Sequence, residues 1–164
     1  MPNLTTHVLD ISSGKPAEKI KIELFKLIEG SMQKINEIHT SLRNLADQLG
    51  INGAVITSGI GRTMNSTFGY MDDTFTYHRH TLKEPAELVT LQGNLARHED
   101  GSAFTHLHAT FADDNFVTMS GHMFEATVFV VAEIHMRVMS KIVMTRCPMV
   151  DGEFVELKLQ NHEP

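Results

Sequence analysis

A chain of 164 residues, 41% apolar and 21% charged, has the size and make-up of one globular domain and is too apolar to be dominated by disorder. Its net charge of −6, with 14 basic residues dispersed and no basic run, lacks the electrostatic signature that phosphate contacts impose on most nucleic-acid binders. No stretch approaches the roughly 20 apolar residues of a membrane span. The start MPNLTTHVLD is unlike a signal peptide, and Cys147 alone permits no internal disulfide, so a cytoplasmic location is expected.

Along the chain, Ser12-Ser13-Gly14-Lys15-Pro16 reads as a turn. Ile20, Ile22 and Leu24 alternate with Lys19, Lys21 and Glu23, the period of a half-buried strand. Gly30 and Ser31 break that pattern and offer a helix N-cap. Met32, Ile35, Ile38, Leu42, Leu45 and Leu49 then recur every three or four residues, one face of an amphipathic helix that Gly50 ends. Ala54-Val55-Ile56 reads as a buried strand running into a glycine turn at Ser58-Gly59-Ile60-Gly61. Further strands are expected over Thr74–His80, Ala86–Leu95, Ala103–Phe111, Thr127–Met139 and Glu153–Leu159. Turns fall at Glu84-Pro85, Asp113-Asp114-Asn115 and Asp151-Gly152. One helix among many strands, without regular βαβ alternation, predicts an α+β fold: a mostly antiparallel or mixed sheet packed on one main helix.

Ten histidines are the unusual part of the composition. On the strand around residue 106, Phe104, His106 and His108 share one face, and Thr105, Leu107 and Ala109 share the other. An H-x-H pair sets two imidazoles about 7 Å apart at the backbone, close enough for both rings to converge on one ion. After the Asp113-Asp114-Asn115 turn, Ser120-Gly121-His122 brings a third imidazole on what reads as the neighbouring strand. Three neutral histidines suit a divalent transition metal and leave a position for water or a ligand. The pattern is cheap, because His78-Arg79-His80 repeats it, and isolated histidines are usually plain surface residues.

Ordered blocks say more. SLRNLADQLGI, ITSGIGR, EPAELVTLQGNLA, FTHLHATF and SGHMFEATVFVVAEIHM, taken in this order, resemble the PPC domain, a family conserved in plants and prokaryotes. In plants that domain is attached to AT-hook DNA-binding motifs. The likeness runs from about Leu42 to Met139. It implies an α+β sandwich, a homotrimer and, as in prokaryotic members, a metal held by the histidines that are here His106, His108 and His122. This chain has no Arg-Gly-Arg-Pro hook, so the minor-groove reader of the plant proteins is missing.

The front of the chain resembles another family. LTTHVLDISSGKPA, KIELFKL and INEIHT, all before Ser41, are similar to the N-terminus of 5-hydroxyisourate hydrolase, a transthyretin-like enzyme. That resemblance makes His7 the water-activating histidine of the family. The C-terminal Tyr-Arg-Gly-Ser that the enzyme needs is absent, since the chain closes on Leu159-Gln160-Asn161-His162-Glu163-Pro164, so isourate hydrolysis is not expected. The helical spacing passes the junction through Ile38 and Leu42 without a stagger, which predicts one PPC-like domain over 19–160 behind an arm of residues 1–18.

Other polar residues have ordinary readings beside functional ones. Glu87 is a candidate base near a metal or a solvated strand carboxylate, and Arg62 is an anion-site arginine or a turn cation. Glu133, His135 and Arg137 share a strand face that suits a polar surface or a subunit contact. Cys147 has no histidine or aspartate at a spacing that would make it a nucleophile. The expected function is a zinc-binding or similar metal-binding PPC protein, acting as a DNA-associated regulator or small-ligand sensor. The alternative is a metal-dependent hydrolase with Glu87 as base, acting on a small molecule in purine catabolism. No membrane partner is expected.

Overall fold

The computed structural model describes residues 9–10, 15–16, 38–149 and 153–161, and the chain divides into two compact units, 1–33 and 34–164. In the first, strands β1 (Leu9–Asp10) and β2 (Lys15–Pro16) pair antiparallel, Leu9 opposite Pro16, so Lys15 and Pro16 of the turn expected over Ser12 to Pro16 are strand, and Ser12 to Gly14 lie outside the described residues. The remainder of the arm, the strand expected at Ile20 to Phe25 and the first half of the expected helix lie outside the described residues.

The second unit opens on helix α1 (Ile38–Leu49). Ile38, Leu42 and Ala46, four residues apart, form its buried stripe, joined by His39. Leu49 lies on the same face but in the last turn, where it is 42% exposed. Gly50 stops the helix as expected, with φ at +64°. Its N–H bonds to Asp47 O and the Ile51 N–H to Ala46 O, the paired bonds of a Schellman cap.

Seven strands follow: β3 (Ala54–Met71), β4 (Tyr77–Leu82), β5 (Ala86–His98), β6 (Ala103–Ala112), β7 (Thr118–Val138), β8 (Ile142–Pro148) and β9 (Val155–Asn161). Their order is β4-β3-β7-β6-β5-β8-β9, and β3 also pairs with β5, so β3, β7, β6 and β5 close into a ring. Every pairing is antiparallel except β5 with β8, which makes the sheet mixed. The fold is therefore largely mixed sheet with one helix among the described residues. Leu88, Leu91, Leu95, Leu107, Phe111 and Met123 fill the core, with Ile38, Leu42 and Ala46 of the helix against them.

The glycine turn expected at Ser58 to Gly61 is not a turn. β3 runs straight through it, with register shifts at Ile56/Ser58 and Gly61/Thr63 taking up the bend. Glycine is needed there for close approach: a Cβ on Gly59 would stand 2.7 Å from Leu91 Cβ, and one on Gly61 would stand 2.1 Å from the Val131 carbonyl. Thr74 to Thr76 belong to a turn and not to the expected strand, because Asp72 Oδ1 accepts from both backbone N–H groups, at 2.8 and 3.1 Å. β8, which carries the apolar Ile142-Val143-Met144, was not foreseen.

Candidate metal centre

Alternation along β6 turns Thr105, Leu107 and Ala109 into the core and Phe104, His106 and His108 outward. The β6–β7 turn sets the register across the pair. Asp113 accepts from the N–H groups of Asn115 and Val117, closing the turn and placing His108 directly opposite His122. The third imidazole, His106, lies two residues back on the same face. Ring centroids are 4.8 Å apart for His106 and His122, 5.2 Å for His106 and His108, and 5.4 Å for His108 and His122. One nitrogen from each ring lies within 4.8 Å of the other two. Nitrogens about 2.1 Å from one tetrahedral ion stand about 3.4 Å apart, so modest ring rotations bring the three onto an ion.

The protonation states fit. Burial, with Arg146 and His108 adding to it, holds His106 down to about 4. Burial, then His106 and His108, holds His122 down to about 3. Both rings are neutral at neutral pH, as metal ligands must be. Among the described residues, His122 Nδ1 is buried without a hydrogen-bond partner, an expensive state for a polar atom that a metal would relieve. The donor set of three imidazoles fits zinc and its neighbours in the transition series.

Around the trio the walls are aromatic. The Tyr77 and Phe124 rings stand 4.7 and 4.8 Å from that of His122, and the Arg79 guanidinium lies 4.2 Å over Phe124. Glu153 pairs with Arg79 and accepts from the Tyr77 backbone N–H at 3.1 Å. A cavity of about 190 Å³ opens there, its lining including His106, His122, Tyr77, Phe104 and Phe154. Behind the strands, in the core, His39 reaches both segments that carry the three histidines. Its Nε2–H donates to Met123 O at 3.0 Å, and its Nδ1 accepts from the Thr105 hydroxyl.

Residues 24–140 match the Plants and Prokaryotes Conserved (PCC) domain family, which is the PPC family of the sequence blocks. The chain belongs to that family. A solved PPC protein of Pyrococcus horikoshii is 30% identical, with 73% of this chain and 82% of that one covered and a TM-score of 0.64. A protein of Ralstonia eutropha JMP134, provisionally named as DNA-binding, is 25% identical, with 78% and 88% covered and a TM-score of 0.68. The PCC chain is also similar to 5-hydroxyisourate hydrolase 2 of Rhizobium meliloti, 31% identical over 120 residues, 72% of this chain and 94% of that protein. That likeness extends beyond the front segment in which its motifs were legible.

The PCC fold does not bring the other candidates to the histidines. Glu87 stands opposite Ala112, four residues past His108 on β6 and about 13 Å along the strand, and it pairs with Arg62 at 3.7 Å. Glu133, His135 and Arg137 are exposed on β7, and Cys147 is buried. His78 pairs with Asp72 at 2.6 Å and His80 packs on Phe68, so the second H-x-H joins no metal-capable group among the described residues. His7 lies outside the described residues. Sequence reasoning missed His39, Tyr77 and Arg146. The only signal for the last was a charge set within the otherwise uncharged Ile142–Pro148.

Proposed function

We propose that this PCC domain binds a divalent transition metal, zinc foremost, through His106, His108 and His122, and works as a small-ligand sensor or DNA-associated regulator. The observation that carries the reading is the convergence of three imidazoles, two of them held neutral by burial, on one point beside a cavity. The metal would supply an open coordination position, and the chain's own part is to fix three ligands and wall the position with aromatic rings.

The proposed assembly is a homotrimer in the cytoplasm. In support, the second half of β7 pairs only with β3 among the described residues, leaving a long edge with Val130 64% and Val138 46% exposed. We keep the domain as residues 19–160, with residues 1–18 as an arm. DNA association leans on the name of the Ralstonia protein and on nothing in the charge pattern. No described helix is long and apolar enough to cross a membrane. Less supports the hydrolase alternative, since its candidate base Glu87 pairs with Arg62 at 3.7 Å, opposite Ala112 on β6.

Metal analysis of untagged protein tests the reading, with His108→Ala as the paired variant. Near-stoichiometric metal in the native protein, lost in a variant that remains folded, is the expected result. Native protein without metal affinity refutes it. Band shifts at two salt concentrations decide the DNA arm: absence of binding even at low salt removes it.

A further inference from the structure

Beside the neutral histidines sits a buried cation without a counter-charge among the described residues. Arg146 is 5% exposed, yet among the described residues no carboxylate forms an ion pair with it. Two neutral acceptors hold its guanidinium: Nη1 donates to Val155 O at 2.9 Å and Nη2 to Asn94 Oδ1 at 2.8 Å. Of its three other N–H groups, that of Nε is buried without a partner among the described residues. Asn94 stands directly opposite His106 in the β5–β6 register, so the cation lies one strand away from the proposed ligands. The guanidinium carbon is 5.8 Å from the ring of Phe104, which with Val155 forms part of the cavity lining.

A cation withdrawn from water without a counter-ion is strongly unfavourable, and a metal on the neighbouring imidazoles would add two more positive charges. An anion between them offsets both. The lining carries one carboxylate, Glu153, which Arg79 neutralises, and its aromatic part from Tyr77, Phe104, Phe124 and Phe154 favours an anion with an apolar body over a hydrated inorganic one. We infer that the cavity binds a small organic carboxylate, its charged end at His106 and His122 on the side where Arg146 lies against Phe104 and Val155, and its body against the aromatic walls. This rests on the metal reading above.

The test separates the two. Cobalt(II), whose visible absorption reports its own ligands, replaces the spectroscopically silent zinc, and its uptake is measured first. Protein that takes up no cobalt refutes the metal reading and this inference with it. Cobalt-loaded protein is then titrated with benzoate, with benzamide as the neutral isostere and inorganic phosphate as the non-apolar anion. Benzoate is expected to change the cobalt spectrum at concentrations about tenfold or more below either control. Arg146→Gln, which keeps a donor for Val155 O, is expected to weaken benzoate about tenfold with cobalt uptake unchanged. Benzoate no better than benzamide or phosphate, or bound as well by the variant, overturns the inference while leaving the metal reading intact. Should Arg146→Gln not fold, the benzoate preference of the native protein decides alone.

Discussion

His122 offers a test in which the sign of the effect reverses with metal. Its Nδ1 is buried and, among the described residues, unpartnered, a condition that costs about 1–3 kcal/mol in a folded protein. His122→Phe removes that nitrogen and keeps a ring against Tyr77 and Phe124, now 4.7 and 4.8 Å away. Some of the gain is lost to the larger ring, so the metal-free variant should be about 1–2 kcal/mol more stable than the metal-free native protein. With zinc at about a thousand times its dissociation constant, the native protein gains about 4 kcal/mol and the variant, lacking a ligand, gains almost nothing. The order of stabilities therefore inverts. Urea unfolding followed by circular dichroism, in chelator and in excess zinc, reads both halves. A metal-free variant less stable than native by about 1 kcal/mol, or zinc raising both midpoints equally, refutes the reasoning.

The same unfolding assay checks three further expectations. Gly93→Ala would place a Cβ 1.9 Å from the His106 carbonyl at φ +151°, so the β5–β6 pair must open beside a proposed metal ligand; a loss of about 3–5 kcal/mol and weaker metal binding are expected. Gly50→Ala, with φ +64° but nothing within 4 Å, should cost only about 1 kcal/mol and leave metal binding alone. Acidification should unfold the metal-free domain early. The folded values of about 4 for His106 and about 3 for His122 lie below the ordinary 6.5, so the unfolded chain binds protons first. Stability is then full above 6.5 and declines as pH falls through both folded values, with a shallower slope in His122→Phe. An unchanged slope in that variant would count against the burial of this ring.

Much of the site was legible because it is local. Asp113-Asp114-Asn115 fixes a hairpin, and His108 and His122 stand symmetrically about Asn115, so the turn chemistry alone sets them opposite each other. Strict alternation on β6 then puts His106 on the same face. The helix was legible for a similar reason, since a period near four survives at Ile38, Leu42 and Ala46 and Gly50 marks the end. The lengths of β3 and β7 were not, because Gly59 and Gly61 serve close packing against Leu91 and Val131 in the middle of a strand, and glycine signals a turn equally well.

What sequence could not give is the second layer of the site, which arrives from distant segments. Tyr77 comes from the edge strand β4, and Arg146 from β8, which joins β5 by a parallel pairing of only two residues, Arg97 with Thr145 and His98 with Arg146. No periodicity encodes such a contact, and it brings a cation to the outward face that carries the histidines. An arginine whose partners are two neutral acceptors, with a buried Nε–H unpartnered among the described residues, is poorly compensated for its burial in the empty fold. Its position where positive charge is already proposed to gather is intelligible if the bound state, and not the empty fold, sets the electrostatics of this face.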